Sequence, residues 1–103
     1  MFIRTLVTAF IWVILGVPST MAQSSPVQIT LLGDSLTSGY GLDSQEDALP
    51  AVLQAELEKN SMNAVVANAG VSGDTTAAAL ARIQQIIARR PQMVIIALGG
   101  NDA

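Results

Sequence analysis

Val27-Gln28-Ile29-Thr30-Leu31-Leu32-Gly33-Asp34-Ser35-Leu36 decides how this chain folds. Val27 to Leu32 is a short apolar run, and Gly33 to Gly41 is rich in Gly, Ser, Asp and Thr. Such a run ending in turn-forming residues reads as a strand followed by a loop. The pattern recurs twice downstream. Ala64 to Ala67 runs through Asn68 into a loop from Ala69 to Gly73, and Met93 to Leu98 runs into Gly99-Gly100-Asn101-Asp102.

Helical periodicity fills both gaps. Pro50 suits a first helical position, where its missing N–H costs nothing. Leu49, Val52, Leu53 and Leu57 then recur at helical spacing through Lys59. Asp74 and Thr75 are capping residues for a helix predicted over Thr76 to Arg90, with Leu80, Ile83 and Ile87 as its buried stripe. Arg89 and Arg90 suit the negative end of that helix, and Pro91 stops it. The order is β-α-β-α-β. Nearly continuous apolar strands joined by helical crossovers imply a parallel sheet covered on both faces. Ligand sites in such sheets lie beyond the carboxyl ends of the strands. The topology therefore gathers Ser35, Gly73 and Asn101 at one rim.

Composition narrows the chemistry. The chain has 103 residues, 8 acidic against 5 basic, with no His and no Cys. The missing Cys excludes a disulfide scaffold or thiolate metal site within these residues. The missing His removes the usual general base and the commonest metal ligand. A net charge of −3 without a basic stripe argues against a nucleic-acid partner. Half of the residues are apolar, which argues against disorder.

Met1 to Ala22 reads as a secretory signal peptide. Arg4 supplies the positive start, Leu6 to Val17 the apolar run, and Thr20-Met21-Ala22 a small-x-small cleavage site. A retained membrane anchor is the rival reading, but a spanning helix needs ~20 apolar residues. Residues 23–103 are thus expected to be exported, periplasmic or secreted, with no stable membrane span after cleavage. Ser24, Ser25 and Pro26 form a short linker into the fold.

Each of the three loops carries a chemical possibility and a bland alternative. In Gly33-Asp34-Ser35-Leu36, a Ser on a tight strand-to-helix turn has its hydroxyl lifted out of the sheet and its own N–H free. The same residues also make an ordinary polar turn. In Gly70-Val71-Ser72-Gly73-Asp74, Gly73 admits close approach of a ligand to its N–H. A plain helix entry explains that segment equally. In Gly99-Gly100-Asn101-Asp102, the Asn101 amide can donate to a developing negative oxygen, or the segment is a third turn. Taken together, the three supply a nucleophile and three donors aimed at one oxyanion.

In that order the three blocks resemble those of the GDSL or SGNH hydrolases. The flanks agree: Leu31-Leu32-Gly33-Asp34-Ser35-Leu36-Thr37-Ser38-Gly39-Tyr40-Gly41, then Asn68-Ala69-Gly70-Val71-Ser72-Gly73-Asp74-Thr75. They look like the exported bacterial subgroup of arylesterases, lysophospholipases and acyl-CoA thioesterases. The resemblance covers Val27 to Asp102. It implies an α/β, flavodoxin-like three-layer sandwich with strand order 2-1-3-4-5, of which residues 23–103 supply the first three strands. It implies Ser35 as the nucleophile. Gly73 and Asn101, with the Ser35 N–H, are implied as the oxyanion hole. The implied partner is a small-molecule or lipid ester acting on a monomer, with no metal or organic cofactor.

One departure matters. The family's last block supplies an Asp and a His three residues apart, and this sequence has no His. Ser is a weak nucleophile without a base. The chain is therefore expected to be the N-terminal part of a longer hydrolase, ~180–200 residues if it is one ordinary domain, and inactive alone. Cut after the third strand, Val94 to Leu98 is expected to form an unprotected apolar edge. The competing reading is a non-catalytic module that binds acyl or carboxylate ligands after losing the base. A phosphate-binding flavodoxin-like domain ranks last, because no Walker or G-x-G-x-x-G spacing occurs.

Overall fold

The computed structural model describes residues 24–103. The signal-peptide reading of residues 1–22 lies outside them. Three strands alternate with helices: β1 (Val27–Gly33), α1 (Ser35–Ser38), a 3₁₀ turn (Gln45–Asp47), α2 (Leu49–Lys59), β2 (Ala64–Gly70), α3 (Thr76–Ala81), α4 (Ile83–Ala88) and β3 (Met93–Ala97). The strands form one parallel sheet in the order β2-β1-β3. The fold is α/β, as the alternation in the sequence predicts.

Two small cores flank the sheet. Ile29 and Leu31 of β1 join Ala64 beneath Leu53 and Leu57 of α2. Leu32 points the opposite way and meets Ala69, Ala79 and Ile86, with Ile83 and Leu98 alongside. The period-2 alternation of strand side chains explains why neighbours in β1 serve opposite layers. Each fully buried aliphatic side chain contributes about 1.5–3 kcal/mol relative to exposure. On the far side of β2, Gln54 of α2 acts as a surrogate strand. Its Nε2 donates to Ala64 O at 2.9 Å, and its Oε1 accepts from Val66 N at 2.7 Å. These bonds occupy backbone groups that an edge strand otherwise offers to another chain.

The third strand lies at the other edge. Met93, Val94, Ile95 and Ile96 are exposed, whereas Leu98, read as part of the same unprotected run, is half-buried against the Leu32 cluster. Strand boundaries shift slightly from expectation. β2 continues through Asn68 and Ala69 to Gly70, so the second loop begins later than the sequence suggests.

The helix read over Thr76 to Arg90 is two helices. Arg82 breaks it, with φ −107° and ψ 7° at the junction. Its guanidinium is drawn to the sheet end and to Asp74. Ala79, Ile83 and Ile86 pack inward, recurring at i, i+4 and i+7 across the break, while Leu80 is 70% and Ile87 56% exposed. Both stripes have helical spacing and share Ile83, and the one drawn through Leu80 and Ile87 is the wrong one. The chain leaves α4 early, with Arg90 at φ 52° before Pro91. In α2, Leu53 and Leu57 face the core as predicted, whereas Leu49 and Val52 are exposed.

Gly70 is where α1 crosses the end of β2. A Cβ there would come within 2.8 Å of Ser38 Cα and of the Thr37 carbonyl carbon. Real side chains do not tolerate such contacts with backbone, so α1 would have to move. Gly70→Ala in the full-length protein is expected to destabilise it by about 1–3 kcal/mol, the usual cost of overpacking. Chemical denaturation of variant and parent would measure it, and equal midpoints would refute the close approach.

Candidate functional site at the carboxyl ends of the strands

In-register pairing puts three strand ends at one level. Gly33 of β1 pairs with Gly70 of β2 and with Ala97 of β3. Each strand then releases its loop at the same rim. Hydrogen bonds and close approaches link the loops pairwise. Val71 N donates to Gly33 O at 3.0 Å, joining the second loop to the first. Asn101 Nδ2 donates to Asp74 O at 3.0 Å, joining the third to the second. A Cβ on Gly100 would lie 3.9 Å from Asp34 Oδ2, so the third loop also borders the first. The structure therefore brings together the loops that carry Ser35, Gly73 and Asn101.

Ser35 opens α1 directly after Asp34, its N-cap. Asp34 Oδ1 accepts from Leu36 N at 3.0 Å, and Asp34 O accepts from Thr37 N and Ser38 N. The first N–H groups of a helix have no intrahelical acceptor. Among the described residues of this turn, the cap takes up the donors of Leu36, Thr37 and Ser38 and leaves that of Ser35. Asp34 is buried, so its carboxylate is committed to shaping the turn. Thr37, fully buried beneath the turn, packs α1 against Gly33.

Gly73 sits in the turn closed by Asp74 N donating to Val71 O at 3.1 Å. Its φ of +81° lies in the left-handed region that side chains other than glycine's resist. The surrounding space is open, with nothing within 4 Å of a Cβ built there. Thr75 then caps α3, its hydroxyl accepting from Ala78 N at 3.0 Å. Of the two capping candidates, Thr75 performs that task. Asp74 turns instead to Arg82, with Nη2 2.8 Å from its Oδ2.

Asn101 and Asp102 form a clasp on the start of α3. Asn101 spends one amide hydrogen on Asp74 O, and its amide has a second hydrogen to offer. Asp102 accepts from Thr76 N at 2.9 Å and from Thr76 Oγ1 at 2.7 Å. Those two bonds, the hydroxyl's above all, hold the Asp102 carboxyl below its ordinary value of 3.8. Neither Asp34 nor Asp102 is thereby placed as a base: Asp34 binds the Leu36 N–H of its own turn, and Asp102 binds the N–H and hydroxyl of Thr76. Tyr40 and Leu42, which follow the Ser35 turn, are exposed. Sequence reading overlooked Arg82, whose role is visible only when Gly33, Ala69 and Asp74 meet in space. Among the described residues no group of acidic side chains is arranged to hold a metal ion, and no helix is long and apolar enough to cross a membrane.

A parallel α/β sheet with a Ser-bearing turn, a glycine turn and an Asn-bearing turn joined at one rim defines a class of protein. The chain belongs to the GDSL-like Lipase/Acylhydrolase family, whose model matches residues 31–103. It is 38% identical over 81 residues to Esterase TesA of Pseudomonas aeruginosa, covering 78% of this chain and 40% of that protein. It is 39% identical over 75 residues to Thioesterase 1/protease 1/lysophospholipase L1 of Escherichia coli K12, covering 72% of this chain and 34% of that one. The crystal structure of AlinE4, an SGNH-hydrolase family esterase, superposes with a TM-score of 0.68 at 45% identity, over 75% of this chain and 42% of AlinE4. The chain thus spans about two fifths of the length of the relatives it matches.

The Asp102 clasp has a pH signature. A carboxyl whose folded value is lowered stabilises the fold above its unfolded value, and that stability is lost as pH falls through the lowered one. Asp102→Ala in the full-length protein is expected to melt lower than the parent at about pH 7, with the gap narrowing as pH falls below the ordinary carboxyl value of 3.8. A gap that keeps its size across that range would show that the Thr76 bonds do not depend on the charge.

Proposed function

We propose that the whole protein is an exported serine ester hydrolase working through an acyl-enzyme on Ser35. The observation that carries this reading is the linkage of the three loops at one rim: Gly33 O to Val71 N, and Asp74 O to the Asn101 amide. Ser35 Oγ attacks the carbonyl carbon, forming a C–O bond as the carbonyl electron pair moves onto oxygen. The N–H of Ser35, the N–H of Gly73 and the free hydrogen of the Asn101 amide stabilise that oxyanion. Collapse expels the alcohol or thiol, which takes the proton first removed from Ser35. Water then hydrolyses the acyl-enzyme by the same steps, regenerating the serine.

The base that accepts the Ser35 proton is assigned to a His outside these 103 residues, oriented by an Asp. The names of the relatives support esters, thioesters and lysophospholipids as the substrate class. The apolar run at Leu6 to Val17 supports export to the periplasm or beyond. One observation favours a second reading, a non-catalytic acyl- or carboxylate-binding module: the sequence has no His.

A fluorophosphonate probe applied to the full-length protein separates the two. Labelling is expected in the parent and is expected to vanish in Ser35→Ala. Asn101→Ala is expected to lower kcat for a simple ester by roughly 10²–10³, the loss seen when one oxyanion donor is removed. Ligand binding without labelling or turnover would establish the binding module instead.

A further inference from the structure

We propose that Arg82 is a positioning residue for the oxyanion hole, an inference that rests on the hydrolase reading above. Arg82 lies at the break between α3 and α4, outside the three family blocks, and touches parts of two of them. Its Nε donates to Asp74 Oδ2 at 2.9 Å. Its Nη2 donates to Ala69 O at 2.9 Å and reaches Gly33 O at 3.3 Å. Gly33 is two residues before the nucleophile. Ala69 is the penultimate residue of β2, the strand that feeds the glycine loop. Asp74 follows Gly73, and its carbonyl holds the Asn101 amide. One planar guanidinium thus ties all three oxyanion donors to one rigid frame, directly at two loops and through Asp74 at the third.

The chemistry suits arginine and little else. Gly33 and Ala69 expose carbonyls at the sheet end, and Asp74 is a buried carboxylate. A buried charge without a partner is costly. A guanidinium presents a fork of donors in fixed directions, whereas an ammonium is a point charge. The helix gives way to satisfy this arrangement, breaking at Arg82 between α3 and α4. Oxyanion donors act through preorganisation, so a shift of their loops is felt in the transition state more than in substrate binding.

The test uses the full-length protein and a simple aryl ester, with active sites counted by fluorophosphonate titration. Arg82→Lys keeps the charge near Asp74 and gives up the fork. It is expected to lower kcat per titrated site by about 10- to 100-fold with KM within about twofold, the signature of a lost transition-state interaction. Asp74→Asn, which keeps the guanidinium and both carbonyls, is expected to show the same split and serves if the Lys variant does not fold. In the pair Arg82→Lys with Asn101→Ala, the losses are expected to overlap and not to multiply, because both remove the same donor geometry. Unchanged kcat per site in both single variants, or fully multiplicative losses, would overturn the proposal. Ser35→Ala is run alongside: if it retains labelling and turnover, the hydrolase reading itself fails, a result distinct from any behaviour of Arg82.

Discussion

Pairing of Gly33 with Gly70 on one side and Ala97 on the other is the constraint from which the site follows. A parallel register fixes where each strand ends relative to its neighbours, and a slip of one residue would turn every side chain to the opposite face. Here both faces are occupied: Ile29 and Leu31 need α2, and Leu32 needs α3 and α4. The two cores therefore lock the register, and the register aligns the loops. Chemistry at the rim depends on apolar packing well below it.

Above the sheet, packing gives way to hydrogen bonds. Leu36, Tyr40 and Val71 in the rim loops are exposed, so little apolar burial holds those loops. Asp34 caps α1, Asp74 meets Arg82, and Asp102 meets Thr76. Three Asp residues near the proposed site thus act on backbone or on a cation. This division of labour fits a site that must present free donors: the carboxylates restrain the turns, and the donors of Ser35 and Asn101 stay available. The Asp34 and Asp74 carboxylates are buried, so losing their partners would be costly, whereas Asp102 makes its bonds at the exposed surface.

Local signals in the sequence reveal much of this. Short apolar runs ending in Gly disclose the strands, and turn residues after each one disclose the rim. Pro50 marks the start of α2. Failures arise where distant residues override local pattern. Nothing between Thr76 and Arg90 announces a helix break; it falls at Arg82, the residue that reaches the carbonyls of Gly33 and Ala69. Leu80 and Ile87 look like core residues and are exposed, because the neighbouring stripe through Ala79, Ile83 and Ile86, which has the same helical period, is the one that faces the sheet. Asp74 reads as a helix cap equally with Thr75, and only its pairing with Arg82 decides between them. Family resemblance supplies residue roles that periodicity cannot, because a turn-forming serine and a nucleophilic serine have the same local grammar.

The break at Arg82 also bears on how the pieces of the site depend on one another. Arg82 both ends α3 and reaches two strand carbonyls. Because the backbone yields there, the same residue that terminates α3 reaches the end of β1, while Thr75 and Thr76 at the start of α3 meet their own partners. The six-residue α3 is therefore held at both ends by polar contacts to the rim. Asp102 contacts its first residue and Arg82 ends it, and Arg82 also meets Asp74, the residue after Gly73. Residues that a local reading treats as ordinary helix thus border the glycine turn, which only the tertiary contacts make visible.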